Sequence, residues 1–80
     1  MARLRLLTRP DCGLCEEFRD ELAQLARKTE LPAVETVDVD SDPELVRRYG
    51  LDIPVLLLDE VRVCEHRLDA SELLRLLRPR

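Results

Sequence analysis

The sequence predicts a small α/β domain whose elements follow one another in the order β-α-β-α-β-β-α. Three observations lead to this order: an alternating segment near the start, segments with apolar residues three and four apart, and the continuous apolar run Val55–Leu58. A continuous apolar run is typical of a strand buried on both faces, whereas helical spacing indicates amphipathic helices that cover a sheet. We therefore expect a four-stranded mixed sheet with helices on both faces.

Length and composition indicate one domain, which we expect to span residues 1–80. Hydrophobic residues make up 45% of the chain and charged residues 38%, which excludes a disordered polymer. The 13 basic residues alternate with 17 acidic ones, so no nucleic-acid surface is indicated. The apolar run at residues 4–7 is too short for a signal peptide or a membrane span, so we expect a cytoplasmic protein with no membrane partner.

The first strand and the first helix meet at a pair of cysteines. Charged and apolar residues alternate over residues 3–8, which predicts a strand. Helical spacing then continues to about residue 29, and its expected apolar face consists of Leu14, Phe18, Leu22, Leu25 and Ala26. Cys12 and Cys15 lie between the two patterns, so they belong to the turn that opens the helix.

The middle of the chain predicts a second strand–helix unit. β-Branched residues over 34–39 indicate a strand. Asp42 is a helix N-cap residue, Pro43 suits the first helical position, and Gly50 is a typical helix stop. Because strand–helix–strand units usually pair their strands in parallel, we expect parallel neighbours from both such units of this chain.

The last third of the chain predicts a hairpin and a helix. Asp59 and Glu60 form a two-residue link, which makes the flanking strands antiparallel although the glycine that such turns favour is missing. The returning edge strand contains Cys64, which we expect to be at least half-buried. Asp69 predicts a cap for the final helix. We expect His66 at the surface.

The spacing of Cys12 and Cys15 suits reversible disulfide chemistry. Two residues three apart in a helical turn have Cα atoms about 5–6 Å apart, which is the separation that a disulfide needs. The N-terminus of a helix also favours a thiolate over a thiol. Three cysteines do not form an even disulfide framework, and in a reducing cytosol a close pair is more often catalytic or metal-binding.

Several segments of the chain resemble a known family. Residues 8–15 (Thr-Arg-Pro-Asp-Cys-Gly-Leu-Cys) resemble the active-site segment of glutaredoxins, and residues 53–55 (Ile-Pro-Val) resemble the cis-proline segment of thioredoxin-fold proteins. Residues 42–45 (Asp-Pro-Glu-Leu) and the Tyr-Gly-x-x-x-Pro-Val stretch at 49–55 are similar to small bacterial glutaredoxin-like proteins. The resemblance covers nearly the whole chain and implies a thioredoxin-like fold.

The resemblance also implies roles for individual residues. Cys12 would be the nucleophile and Cys15 the resolving thiol of a redox-active disulfide. Arg9 stands where glutaredoxins usually have a lysine, so it would stabilise the thiolate and bind a carboxylate such as that of glutathione. Pro54 would be cis, and the backbone of Ile53 would then pair with a substrate strand.

A glutaredoxin-like oxidoreductase is thus expected, one that reduces protein or glutathione mixed disulfides. Its partners would be those disulfides and a thiol reductant system, with glutathione as a possible co-substrate. We expect no other cofactor, no metal and a monomeric state.

The segment before the last helix departs from the family pattern. Glutaredoxins that bind glutathione usually have two glycines and an acid there, whereas residues 66–70 read His-Arg-Leu-Asp-Ala. Two alternative functions therefore stay open. One is a metal or iron–sulfur module, in which Cys64, His66, glutathione or a second subunit would complete the ligand set. The other is a non-catalytic interaction domain.

Overall fold

The computed structural model describes residues 2–78 and confirms the predicted order of elements. The strands are β1 (Leu4–Thr8), β2 (Val34–Asp38), β3 (Val55–Leu58) and β4 (Val61–Glu65). The helices are α1 (Gly13–Lys28), α2 (Pro43–Tyr49) and α3 (Ala70–Leu77), and a 3₁₀ turn at Val39–Ser41 joins β2 to α2.

The four strands form one mixed sheet in the order β2-β1-β3-β4. β1 and β2 are parallel, with Thr8 opposite Asp38. β3 runs antiparallel to β1, and Leu7 lies opposite Val55. β4 is antiparallel to β3 and forms an edge of the sheet. The expected mixed sheet, with the last strand at its edge, is therefore confirmed.

The expectation that β3 would be parallel to its neighbour is wrong. The seven residues of α2 span only about 10 Å, whereas a five-residue strand is about 17 Å long. α2 therefore cannot return the chain to the opposite end of the sheet. β3 starts at the edge where β2 ended and runs in the opposite direction to β1 and β2.

Two hydrophobic cores lie on the two faces of the sheet, as predicted. One core packs α1 and α3 against the sheet through Leu4, Leu6, Phe18, Leu22, Leu56 and Leu73. The other packs the 3₁₀ turn and α2 against the opposite face through Leu7, Val39, Tyr49, Val55 and Leu57. β3 contributes to both cores, which confirms that it is a central strand.

The buried face of α1 differs from the predicted one at its first turn and near its end, where Ala26 is exposed. Phe18 and Leu22 are buried as expected, but Leu14 is 46% exposed. Cys15 takes its place in the interior because residues 15, 18 and 22 share one helical face. An apolar side chain is therefore left in solvent between the two cysteines.

The helix caps follow the sequence closely. The side chain of Asp42 accepts a hydrogen bond from the N–H of Glu44 (2.9 Å), and that of Asp69 accepts one from the N–H of Glu72 (3.0 Å). Gly50 ends α2 with φ −55°, so its lack of a side chain is not needed for a left-handed conformation. It is needed for space, since a Cβ atom there would lie 2.5 Å from the carbonyl oxygen of Val46.

Candidate active site

The candidate site residues predicted from the sequence lie at one edge of the sheet. β1 and β2 end there, and β3 begins there. The residue after β4 also belongs to this edge, because the N–H of His66 donates to the carbonyl oxygen of Pro54 (2.8 Å). The segment with the two cysteines follows β1 directly. The fold therefore places the dithiol pair, Arg9 and the Ile53–Pro54 segment at a common edge.

The cysteine pair lies at the N-terminus of α1. Cys12 is the N-cap residue, and its sulfur accepts a hydrogen bond from the N–H of Cys15 (3.1 Å). The two Cα atoms are 5.2 Å apart and the sulfurs are joined as a disulfide. Cys15 is only 2% exposed, whereas Cys12 is half-buried. Cys12 is therefore the more exposed residue of the pair.

This geometry suits a reactive Cys12 in the reduced state. The N–H of Cys15 donates to the N-cap sulfur, and this bond together with the positive end of the helix dipole would stabilise the Cys12 thiolate. Cys15 lies one turn deeper, within bonding distance of the same sulfur. External reagents therefore reach the pair through Cys12.

The Ile53–Pro54 peptide bond is cis, as predicted. Pro54 is buried, and Ile53 packs against the core that contains α2. Among residues 2–78, no hydrogen bond engages the backbone of Ile53. Its N–H and C=O groups are therefore available for pairing, although the substrate contact stays a prediction.

Arg9 lies in an ion pair that the sequence analysis missed. Its Nε and Nη2 atoms donate to the two carboxylate oxygens of Asp40, at 2.8 and 2.9 Å, and Nη1 lies 3.5 Å from the carbonyl oxygen of Gly50. The hydrogen bonds raise the pKa of Arg9 and lower that of Asp40. The parallel register of β1 and β2 could have revealed this pair. Thr8 lies opposite Asp38, so Arg9, one residue after Thr8, comes close to Asp40, two residues after Asp38.

A second arginine at this edge is also paired. Nη1 of Arg62 lies 3.0 Å from Asp52 and 3.1 Å from Glu65, and its guanidinium stacks 5.2 Å from the ring centre of Tyr49. The hydrogen bond to Asp52 contributes most to the raised pKa of Arg62. His66 is exposed, as predicted, and approaches the same two carboxylates.

Within the described range 2–78, the structure does not complete a metal site around the cysteine pair. Among the described residues, the side chains close enough together to share an ion are Asp52, Glu65 and His66, whose ligand atoms lie within 4.8 Å of one another, and this group includes neither active-site cysteine. Arg62 already binds the two carboxylates of this group. Neither Cys64 nor His66 joins Cys12 and Cys15 in such a group.

Cys64 is half-buried in β4, as predicted, and packs against the core beneath α3. Its sulfur accepts a hydrogen bond from the N–H of Asp69 (3.5 Å). Burial raises the pKa of the Cys64 thiol above its ordinary value. Cys64 therefore has the environment of a packing residue, and Asp69 has the capping role that was expected of it.

The structure has a thioredoxin-like fold with a dithiol site. Three features define it: the four-stranded mixed sheet, the cis proline just before β3, and the Cys-x-x-Cys turn that opens α1. The family model of the glutaredoxin-like domain (DUF836) matches residues 3–78. The chain therefore belongs to the glutaredoxin-like family.

Within the described part of the chain, none of the helices combines the length and the apolar character that crossing a membrane requires.

Curated proteins of several organisms are similar to this chain in sequence. A glutaredoxin-like protein of Dictyostelium discoideum is 28% identical over 88% of this chain and 69% of its own length. An uncharacterized protein of Mycobacterium tuberculosis is 35% identical over 86% of this chain and 80% of its own length.

Two solved structures are similar to the whole domain. An X-ray structure from X. campestris is 38% identical, with a TM-score of 0.72, and the match covers 92% of this chain and 93% of that one. An NMR structure from Nitrosomonas europaea is 28% identical, with a TM-score of 0.80, over 90% of this chain and 86% of that one.

Proposed function

We propose that this protein is a cytoplasmic thiol–disulfide oxidoreductase that reduces disulfides through Cys12 and Cys15. The observation that carries the proposal is the cysteine pair itself. Its Cα atoms are 5.2 Å apart, and the N-cap residue Cys12 is half-buried whereas Cys15 is 2% exposed. Family membership supports the proposal, because it associates this dithiol turn with glutaredoxin-like proteins.

The reaction begins with attack by the Cys12 thiolate on a substrate disulfide. A bond forms between Cys12 and one substrate sulfur, the substrate disulfide breaks, and the departing thiolate takes up a proton. Cys15 then loses its proton and attacks the Cys12 sulfur. This step closes the intramolecular disulfide and releases the second substrate thiol. The substrate gains two electrons and two protons, which the dithiol gives up.

A thiol reductant must regenerate the dithiol after each cycle. One reducing thiolate attacks the Cys12 sulfur, which breaks the bond to Cys15 and leaves a mixed disulfide on Cys12. A second reducing thiolate then attacks the reductant's sulfur in that mixed disulfide, so the Cys12 thiolate is released and the reductant leaves as a disulfide. The protein therefore needs no bound cofactor, and glutathione or a reductase would serve as the electron source. Substrate disulfides would pair with the free backbone of Ile53 while Cys12 attacks.

The test measures disulfide reduction by metal-free protein, coupled to dithiothreitol or glutathione, together with the reduction potential of the pair. We expect Cys12→Ser to lose activity and Cys15→Ser to accumulate the mixed disulfide. Cys64→Ser is the matched control and should retain wild-type rates, because Cys64 lies outside the pair.

Two results would reject the proposal: wild-type protein that reduces no disulfide, or activity that survives Cys12→Ser. Stoichiometric zinc or iron in protein purified anaerobically, lost in Cys12→Ser, would favour the metal-binding alternative instead.

A further inference from the structure

The guanidinium of Arg9 is already occupied by a carboxylate of the same chain. Nε and Nη2 contact both oxygens of Asp40 in the two-pronged geometry that arginine also uses for ligand carboxylates. Nη1 faces the carbonyl oxygen of Gly50. A carboxylate arriving with a substrate would therefore have to displace Asp40 to obtain the same pair of hydrogen bonds.

Asp40 is held in this position by the turn that contains it. Its own N–H donates to the carboxylate of Asp38 (2.9 Å), and the hydroxyl of Ser41 donates to the carbonyl oxygen of Asp38 (2.7 Å). The neighbouring Val39 is fully buried and anchors the turn in the core. The ordered turn thus presents the Asp40 carboxylate to Arg9 before any substrate arrives.

The remaining features of this edge suit a peptide better than a small anion. Arg62, on the β4 side, is bound by Asp52 and Glu65. Leu14 is 46% exposed and Leu51 is 97% exposed, each in a segment that adjoins the edge. With the free backbone of Ile53, they offer apolar contact and main-chain pairing to an extended segment.

We propose that Asp40 determines the substrate class of this site: by occupying Arg9 it disfavours small disulfides that are recognised through a carboxylate, and leaves protein disulfides on extended segments as substrates. This inference rests on the proposed oxidoreductase function. Asp40 acts through Arg9, so it is a specificity-determining residue and takes no part in the sulfur chemistry.

The test compares two small disulfides that differ in charge alone, dithiodipropionic acid and its diamide, with a peptide mixed disulfide. In Asp40→Asn the Arg9 guanidinium loses its charged partner and one of the two oxygen acceptors that it binds. Because exposed ion pairs contribute little free energy, we expect KM for the diacid to fall by no more than about 5-fold. We expect unchanged kcat, and unchanged KM for the diamide and the peptide.

Two variants control for other effects of the substitution. Arg9→Gln combined with Asp40→Asn should abolish the gain. Glu35→Gln removes the same charge from an acid that pairs with Arg3 and with Arg5 of β1, away from the dithiol, and should leave the ratio of the KM values for diacid and diamide unchanged.

The outcomes separate this inference from the function on which it rests. Reduction of the diamide by wild-type protein but not by Cys12→Ser supports the oxidoreductase independently of Asp40. The inference fails if Asp40→Asn leaves KM for the diacid unchanged or shifts all three substrates alike. If wild-type protein reduces none of the three, the proposed function fails and this inference fails with it.

Discussion

Replacing Glu60 by glycine should stabilise the protein even though it removes an ion pair. Asp59 and Glu60 form the two-residue turn between β3 and β4, and both have positive φ angles, 50° and 69°. A side chain in this left-handed region costs roughly 1–2 kcal/mol, which glycine does not incur. The carboxylate of Glu60 pairs with Arg5 at 3.0 Å, but its side chain is 57% exposed.

The expected magnitude follows from these two contributions. Glycine relieves about 1 kcal/mol of backbone strain, and loss of the exposed ion pair costs about 0.5 kcal/mol. The net gain of about 0.5 kcal/mol corresponds to a rise in Tm of roughly 2–4 °C for a domain of this size. Asp59 is best left unchanged, because its carboxylate accepts a hydrogen bond from the N–H of Arg3 (2.9 Å).

Urea denaturation of the wild type, Glu60→Gly and Glu60→Ala measures this effect. The alanine variant removes the same ion pair and keeps the strained backbone, so glycine should exceed alanine by about 1 kcal/mol. In a helix interior the order is reversed by a similar amount. Alanine equal to or more stable than glycine at position 60 would refute the reasoning.

Three further predictions concern packing and titration. Gly50→Ala should cost about 1–3 kcal/mol in the free energy of unfolding, since its Cβ would meet backbone at 2.5 Å, whereas Gly13→Ala, with open space around it, should be tolerated in the same assay. Alkylation of Cys64 in protein with an oxidised active site should titrate above the free thiol value of about 8.5; a midpoint below that would contradict its burial. Because Arg9 lowers the pKa of Asp40, the ion pair stabilises the fold above the ordinary Asp value, about 3.9, and is lost as pH falls through the lowered value. The stability difference from Asp40→Asn, followed by acid titration of both proteins, should therefore vanish well below pH 4.

Sequence periodicity was sufficient to predict the elements of the fold. Strand and helix patterns are local, so β3 was recognised as a buried strand from four consecutive apolar residues. The direction of β3, in contrast, cannot be predicted from its local sequence pattern. It depends on how far α2 can carry the chain. A seven-residue helix is too short to return the chain to the end of the sheet where β2 began, so β3 starts where β2 ended.

The same distinction applies to the site. Cys12 and Cys15 are three residues apart, so one helical turn determines their separation. The partner of Arg9 lies 31 residues away, in a turn whose position depends on the register of β1 and β2. A sequence analysis that treats Arg9 by itself therefore cannot foresee that its charge is already balanced.

The burial of Cys15 has a kinetic consequence. Because Cys15 is 2% exposed and Cys12 is half-buried, the proposed activity would bring both the substrate disulfide and the reductant to Cys12. In the proposed cycle the substrate disulfide would react with the dithiol form and the reductant with the disulfide form, so the two would alternate at Cys12. The direction of electron flow would then follow from the reduction potential of the pair and from the thiol-to-disulfide ratios of substrate and reductant.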